Sequence, residues 1–344
     1  MNETLLSVRN LKVGYRVGKN SVDAVDGASF DVPRGSIVGL VGESGCGKTT
    51  VARALTRVMA DNASITGGQM VFDGRDLVTL PEREMNALRW RDIAFIPQSA
   101  MNSLDPVYTV EYQLNEVLRR RGGLGRRQAR ARCEELFEMV GIEVGRLRDY
   151  PHQFSGGMRQ RVAIALALAL NPKLVIADEP VTALDVIVQR QILDQLRELQ
   201  SMLGISVILV THDISVVAYV CDRTVVMYAG RVAESGAMDA TLTQPSHPYT
   251  MGLRNAFPDL QGAASGTLTP IEGAPPDLSD PPAGCRFAPR CPFALEICAT
   301  TQPPLADISP DHAVACHRAG EAVVLRERAA RVETWMTEPA MAEA

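Results

Sequence analysis

GESGCGKTT, Gly42–Thr50, stands between the apolar run SIVGLV (Ser36–Val41) and the helix-forming VARALTRVM (Val51–Met59). The order strand, glycine-rich turn, helix decides the fold. The turn matches G-x-x-x-x-G-K-[ST], a phosphate-binding loop, in the flanking context that the motif requires. Gly42, Gly45 and Gly47 let backbone N–H groups of Ser44, Cys46 and their neighbours curl around phosphate oxygens, and the following helix adds its positive dipole end. Lys48 is expected to reach the β- and γ-phosphates of ATP, and Thr49, next to Thr50, to ligate Mg²⁺.

Working outward, short β-rich runs alternate with helical patterns as far as about residue 236. This argues for an α/β layer fold with a largely parallel sheet. Strands are expected at Ser36–Val41, Leu174–Ala177, Ser206–Val210 and Thr224–Tyr228. Ile192, Leu196, Leu199 and Leu203 recur three or four apart and give the stretch Ile187–Leu203 one apolar helical face. From Pro81 to about Leu170 strand signals nearly vanish, so a mostly helical subdomain, approximately 85–170, is expected inside a nucleotide-binding domain spanning 1–250. Residues 251–284 read as a Pro-rich linker, 285–325 as a Cys-rich module, and 326–344 as a terminal helix and tail. RRRGGLGRRQARAR, from Arg119, carries seven arginines and reads as a solvated helical surface.

The 344 residues are 46% hydrophobic and 22% charged, enough for a full core and a second small module. A formal net charge of -5 offers no broad cationic surface for nucleic acid, which is therefore not an expected partner. The longest apolar runs, VAIALALAL (Val162–Leu170) and ISVILV (Ile205–Val210), are far shorter than the roughly 20 residues of a membrane-spanning helix. MNETLLSVRNLKV lacks the features of a secretory signal, so a cytoplasmic location with reduced thiols is expected.

A second signature is KLVIADEP, Lys173–Pro180, where an apolar strand ends in two acids. Asp178 suits the water shell of Mg²⁺, and Glu179 suits orienting or deprotonating the water that attacks the γ-phosphate. A third, FSGGMRQR (Phe154–Arg161), opens a helix with a serine and two glycines and makes another anion-binding end. One nucleotide hardly needs both ends within a single fold. This combination resembles the ATP-binding cassette (ABC) family, an α/β P-loop NTPase fold. There the signature serine and glycines, here Ser155, Gly156, Gly157 and Met158, close on the γ-phosphate held by a partner subunit.

The resemblance covers roughly the first 250 residues. It implies that Gln98, in FIPQSAMNSLDP, touches Mg²⁺ and the attacking water and senses the membrane subunit. It implies that Asp185, in Thr182-Ala183-Leu184-Asp185, communicates across a dimer, and that His212, in ILVTHDIS, hydrogen-bonds the γ-phosphate. Tyr15, in KVGYRVG, matches the aromatic that stacks on adenine, or else fills a strand face. His152, His247, His312 and His317 read as surface residues. The signature is FSGGM where the family favours LSGGQ, and DEPV replaces DEPT. With VGESGCGKTT, QSAMNSLDPV and QPSHPYTMGL (Gln244–Leu253), these departures resemble the branch that imports di- and oligopeptides, some members of which serve oligosaccharides or nickel. That branch implies a second ATPase subunit, commonly a different chain giving a heterodimer, two transmembrane permease subunits and an extracytoplasmic substrate-binding protein. It places the ATPase on the cytoplasmic face of the cell membrane. A soluble cassette switch and an Fe–S sensor carried on an ATPase are the rivals from other classes.

Cys285, Cys291, Cys298 and Cys316 give C-x₅-C-x₆-C-x₁₇-C, with the first three expected on loops broken by Pro289 and Pro292. Zinc sites more often show C-x₂₋₄-C pairs, and a cytosolic disulfide is unusual. Widely spaced thiolates suit an Fe–S cluster better, and zinc or unligated thiols stay open. The peptide-importer resemblance implies a [4Fe-4S] cluster in this tail, with a structural role for a segment too small to build much core. Cys46, Cys133 and Cys221 read as ordinary small core or loop residues.

Overall fold

The computed structural model describes residues 3–98, 103–182, 184–256 and 269–336, which fall into two compact units. One comprises Leu6–Asp31, Val38–Val78 and the chain from Thr211 onward; the other is Thr79–Val210 with Val32–Ile37 and the residues before Leu6.

The first unit carries an antiparallel sheet of β1 (Thr4–Val17), β2 (Asn20–Pro33), β4 (Ala63–Phe72) and β5 (Arg75–Asp76), in the order β2-β1-β4-β5. β1 and β4 pair from Leu6↔Phe72 to Tyr15↔Ala63 with an irregularity between Arg9 and Lys12. This antiparallel sheet is additional to the largely parallel sheet expected, and Gly67 and Gly68 interrupt the alternation by which β4 would declare itself. The same unit orders β3 (Ile37–Val41), β9 (Arg223–Tyr228), β10 (Arg231–Ala237), β12 (His312–Val314) and β11 (Ala306–Ser309) side by side. β3 and β9 are parallel, and the later pairings are antiparallel. Its helices are α1 (Lys48–Thr56), α7 (Ile214–Val220), α8 (Pro248–Asn255), α9 (Glu296–Thr300) and α10 (Ala322–Ala329).

The second unit holds three parallel strands, β6 (Ile93–Ile96), β7 (Leu174–Asp178) and β8 (Ser206–Thr211), ordered β6-β7-β8. Every residue of β7 and β8 is buried, the continuous apolar pattern of strands covered on both faces. β6 lies where strand signals were expected to vanish; its four residues, IAFI, are too short to stand out among helical patterns. Around them are α2 (Glu82–Leu88), α3 (Val110–Arg120), α4 (Arg126–Met139), α5 (Gly156–Ala167) and α6 (Val186–Leu203). α6 starts where Asp185 accepts the Val188 N–H and stops at Gly204, whose φ of 64° is left-handed.

The arginine-rich stretch covers the end of α3 and much of α4, and its guanidiniums meet acids: Arg120–Glu116 at 2.9 Å, Arg130–Glu111 at 2.9 Å and Arg132–Glu135 at 2.8 Å. These are surface pairs that set solubility more than stability. Among the described residues no helix is long and apolar enough to cross a membrane.

Candidate nucleotide site

β3 is fully buried and delivers the chain into the phosphate loop. Gly42, at φ 153°, lies so close to the β9 end that a Cβ there would sit 2.1 Å from the Met227 carbonyl oxygen. Only glycine fits that approach. Lys48 is buried in the first turn of α1, where its Nζ donates to the carbonyls of Gly42 at 2.7 Å and Glu43 at 2.8 Å and lies 3.7 Å from Cys46 Sγ. The ammonium is thus parked along the loop that it would leave for a phosphate. Ser44 and Gly45 are exposed, while Thr49 and Thr50 are half-buried in α1. The Tyr15 hydroxyl stands 3.3 Å from Thr50 Oγ1, which brings the sequence-selected aromatic to the helix of the phosphate loop. His212 is exposed just after β8, before α7, whose N-terminus Asp213 caps by accepting the Ser215 N–H.

In the other unit, Asp178 ends β7 and is 1% exposed. A buried carboxylate at a strand end suits a hydrated Mg²⁺. Glu179 follows with φ 48°, left-handed backbone that a non-glycine residue adopts at a cost on the order of 1–3 kcal/mol and that clusters at functional sites. Its N–H donates to the Val210 carbonyl at 2.8 Å. Its Oε2 accepts from Gln98 Nε2 at 2.8 Å and from Thr182 Oγ1 at 3.1 Å. The structure therefore joins two residues that the sequence assigned separately, and adds Thr182, which it assigned only as part of a loop. Ser99–Asn102, within QSAMNSLDPV, and Ala183 lie outside the described residues.

The signature serine, Ser155, caps α5 by accepting the Met158 N–H at 3.3 Å. Gly156 and Gly157 form the first turn, and a Cβ on Gly157 would press to 2.6 Å from Val188 Cγ1 of α6. Sequence reading missed Arg146. Its guanidinium lies over the Phe154 ring at 4.6 Å, pairs with Asp149 at 2.8 Å and donates to the Gln153 carbonyl and to Met158 Sδ. It holds the turn that presents Ser155.

The thiols belong to the first unit. Cys285, Cys291, Cys298 and Cys316 line one small cavity of ≈ 20 Å³, together with His247 and Phe287. Cys298 lies on α9, not on a loop as expected. Two sulfurs accept backbone N–H bonds, Cys298 from Leu295 at 3.5 Å and Cys316 from Arg318 at 3.4 Å. Burial pushes the Cys285 and Cys291 thiols up, and Cys316 up to about 11. Among the described residues no group of three or more His, Cys, Asp or Glu is arranged to hold a metal ion. Cys46, Cys133 and Cys221 are buried.

Two histidines read as surface residues are interior. His312 is buried on β12, its Nε2 2.7 Å from Glu234 Oε1. His247 is buried at the start of α8, where its Nδ1 accepts the Tyr249 N–H at 3.0 Å. Burial lowers its pKa to about 4. A histidine whose folded pKa lies below its unfolded value opposes folding once the unfolded chain takes up the proton, so stability falls as pH drops from 6.5 towards 4. The full penalty is about 3 kcal/mol. His247→Asn, which keeps a capping side chain, is expected to flatten that part of the curve of urea midpoint against pH.

A family model described as ABC transporter matches residues 25–182, and one described as the C-terminal region of oligopeptide/dipeptide transporters matches residues 233–298. The dipeptide transport ATP-binding protein DppD of Bacillus subtilis is 46% identical over 319 residues, covering 91% of this chain and 94% of that protein. The oligopeptide transport ATP-binding protein OppD of Salmonella typhimurium is 46% identical over 316 residues, covering 91% and 93%. Among solved structures, the post-hydrolysis dimer of the ATP-binding cassette MJ0796 bound to ADP and Pi matches with a TM-score of 0.61 at 28% identity, over 68% of this chain and 98% of that one. CbiO1 of Clostridium perfringens, part of an ABC transporter complex, matches with a TM-score of 0.60 at 26% identity, over 71% and 92%. By these matches the chain belongs to the ATPases of ABC transporters, in the oligopeptide/dipeptide family.

Proposed function

We propose that this chain is the ATP-hydrolysing subunit of an importer of di- and oligopeptides. The observation that carries the reading is the pairing of an ABC match over residues 25–182 with an oligopeptide/dipeptide transporter match over residues 233–298. In this reading Lys48 and the loop Gly42–Gly47 take the phosphates of ATP, Thr49, Gln98 and Asp178 serve Mg²⁺, and Tyr15 stacks on adenine. Glu179 orients the attacking water and His212 contacts the γ-phosphate. Ser155, Gly156, Gly157 and Met158 serve the nucleotide of a second ATPase subunit, with Asp185 at the junction. Two cassettes closing on ATP and parting after hydrolysis pass a rigid-body motion to two permease subunits at the cytoplasmic face of the membrane. A substrate-binding protein delivers the peptide, and the second cassette is a different chain. The test is reconstitution in proteoliposomes with its permeases and partner ATPase: short peptides presented by the binding protein should stimulate hydrolysis and accumulate inside. Stimulation by DNA or ribosomes without membrane subunits overturns the reading.

The Cys-rich module, residues 285–325, follows the linker 251–284 and precedes the tail 326–344. Its donor chemistry, four thiols around one cavity with N–H groups aimed at two sulfurs, supports a [4Fe-4S] cluster. The sulfurs of such a group gain from N–H···S bonds. When bound, it would staple the loops of the module. Protein purified without oxygen is expected to contain about four irons per chain with matching sulfide; zinc alone overturns the assignment.

A further inference from the structure

The second residue of the phosphate loop, Glu43, is held at three points. Its N–H donates to the Tyr249 hydroxyl at 2.9 Å, its carbonyl accepts from Lys48 Nζ at 2.8 Å, and its carboxylate accepts from Arg290 Nη1 at 2.8 Å. Arg290 comes from the Cys-rich module, on the short turn Ala288–Arg290 between Cys285 and Cys291. Its side chain is 8% exposed, and its guanidinium makes four hydrogen bonds. Nη1 also reaches the Tyr228 hydroxyl at 3.1 Å, Nε donates to the Glu272 carbonyl at 2.9 Å, and Nη2 donates to the Ile271 carbonyl at 3.2 Å. A planar fork held through all three of its nitrogens is fixed in place, unlike a surface arginine.

The neighbouring side chains of the same turn make a second attachment. Phe287 packs against both Tyr228 and Tyr249, with ring centroids at 5.2 Å and 5.4 Å, so the tyrosine that receives the Glu43 N–H rests on the module. Arg286, adjacent to Cys285, donates to Asp26 Oδ2 at 2.7 Å and to the Ala229 carbonyl. Burial pushes the Asp26 carboxyl up, but Lys12, Arg231 and Arg286 outweigh burial and hold it below the usual carboxylate range. Ala229 leads into Gly230, whose N–H donates to the Cys46 carbonyl at 3.0 Å and whose own carbonyl accepts the Asp26 N–H at 2.8 Å. Phe287 and Arg290 thus end on groups that touch the phosphate loop, and Arg286 ends one residue short of Gly230, which bonds that loop.

We infer that the four-thiol module positions the phosphate loop for nucleotide, with Arg290 carrying the effect to Glu43. Arg290 is a positioning residue. It fixes the carboxylate of Glu43, which sets the backbone of Gly42 and Glu43 against which Lys48 is parked, and so fixes the N–H cradle that receives the phosphates. Anything that rearranges the thiol turn, by loss of a bound group or by oxidation, moves Arg290 and loosens the cradle. The coupling is reciprocal, so nucleotide also steadies the turn.

The experiment measures equilibrium binding of a fluorescent ATP analogue, with Mg²⁺, to the full chain purified without oxygen. Arg290→Met is expected to weaken binding by about tenfold, within the usual range of coupling between sites. Arg290→Lys should recover part of the loss, and Glu43→Gln should weaken binding as Arg290→Met does. The double variant should be no worse than either single one, because the two residues act as one contact. Cys291→Ser should weaken binding when Arg290 is present and change it little in the Arg290→Met background. Wild-type affinity in Arg290→Met or in Cys291→Ser, or losses that simply add, overturns the inference. If Arg290→Met fails to fold, judged by its unfolding midpoint, the comparison of Glu43→Gln with Glu43→Gln/Cys291→Ser carries the same test: additive losses refute, non-additive losses support.

Discussion

Glu179→Gln is expected to keep ATP bound and to lower the rate of phosphate release by about 10²–10⁴-fold, the usual contribution of a general base. The backbone makes this a clean substitution. Glu179 already sits at φ 48°, and glutamine meets the same constraint with a side chain of the same length. Gln98 and Thr182 both donate to Oε2, and an amide oxygen still accepts those two bonds. What is lost is the negative charge that polarises the attacking water. Single-turnover phosphate release measures the chemical step, and size-exclusion chromatography with ATP and Mg²⁺ should show dimer accumulating, because closure persists when hydrolysis stops. Hydrolysis at the wild-type rate removes Glu179 from catalysis.

Glu234→Ala is expected to be the most destabilising single change, costing about 3–5 kcal/mol. Glu234 is fully buried on β10 and is the common acceptor for three donors: the N–H groups of Ser246 at 2.7 Å and His247 at 3.0 Å, and the ring of His312. Alanine strands all three away from water, and an unsatisfied buried donor costs the full loss of its hydration. His312→Ala removes one of the three and should cost less. Urea denaturation monitored by circular dichroism measures both: the midpoint should fall with little change in slope. A midpoint for Glu234→Ala within error of wild type would sink the assignment of that carboxylate as the tie between β10, β12 and the start of α8.

The candidate nucleotide residues stand out in the sequence because the pattern that marks them is local. Gly42, Lys48 and Thr49 declare themselves by spacing within one turn, and Asp178 and Glu179 by following an apolar strand. Strand positions followed for the same reason, since β7 and β8 are continuous apolar runs bounded by polar residues. Contacts made across long sequence distances were not legible. Arg290 and Glu43 are 247 residues apart, and an arginine between two cysteines carries no local mark of where its fork ends. His247 and His312 were read as surface groups because histidine in a polar, Pro-rich context is usually exposed; only Glu234 and the packing around α8 make them interior. The antiparallel pairing of β1 with β4 escaped because glycines break its alternation, and β6 because four residues carry too little pattern. Arg146 escaped because its target, the Phe154–Met158 turn, is defined by the fold and not by the motif.

The place of β12 has a consequence for how this chain is made. β12 pairs with β10, from Glu234↔Val314 to Gly236↔His312, and β11 then covers β12. Domains form largely in the order in which they leave the ribosome. While residues up to about 300 are being synthesised, β10 therefore presents an unpaired strand edge, and Glu234 waits in the apolar interior for a histidine not yet translated. An exposed edge of this kind is a site for pairing with other chains. The sheet that carries β3 and the phosphate loop is thus closed by a strand made about 75 residues after the one it pairs with, and the interval before that strand arrives is when a nascent chain is most exposed to misassembly.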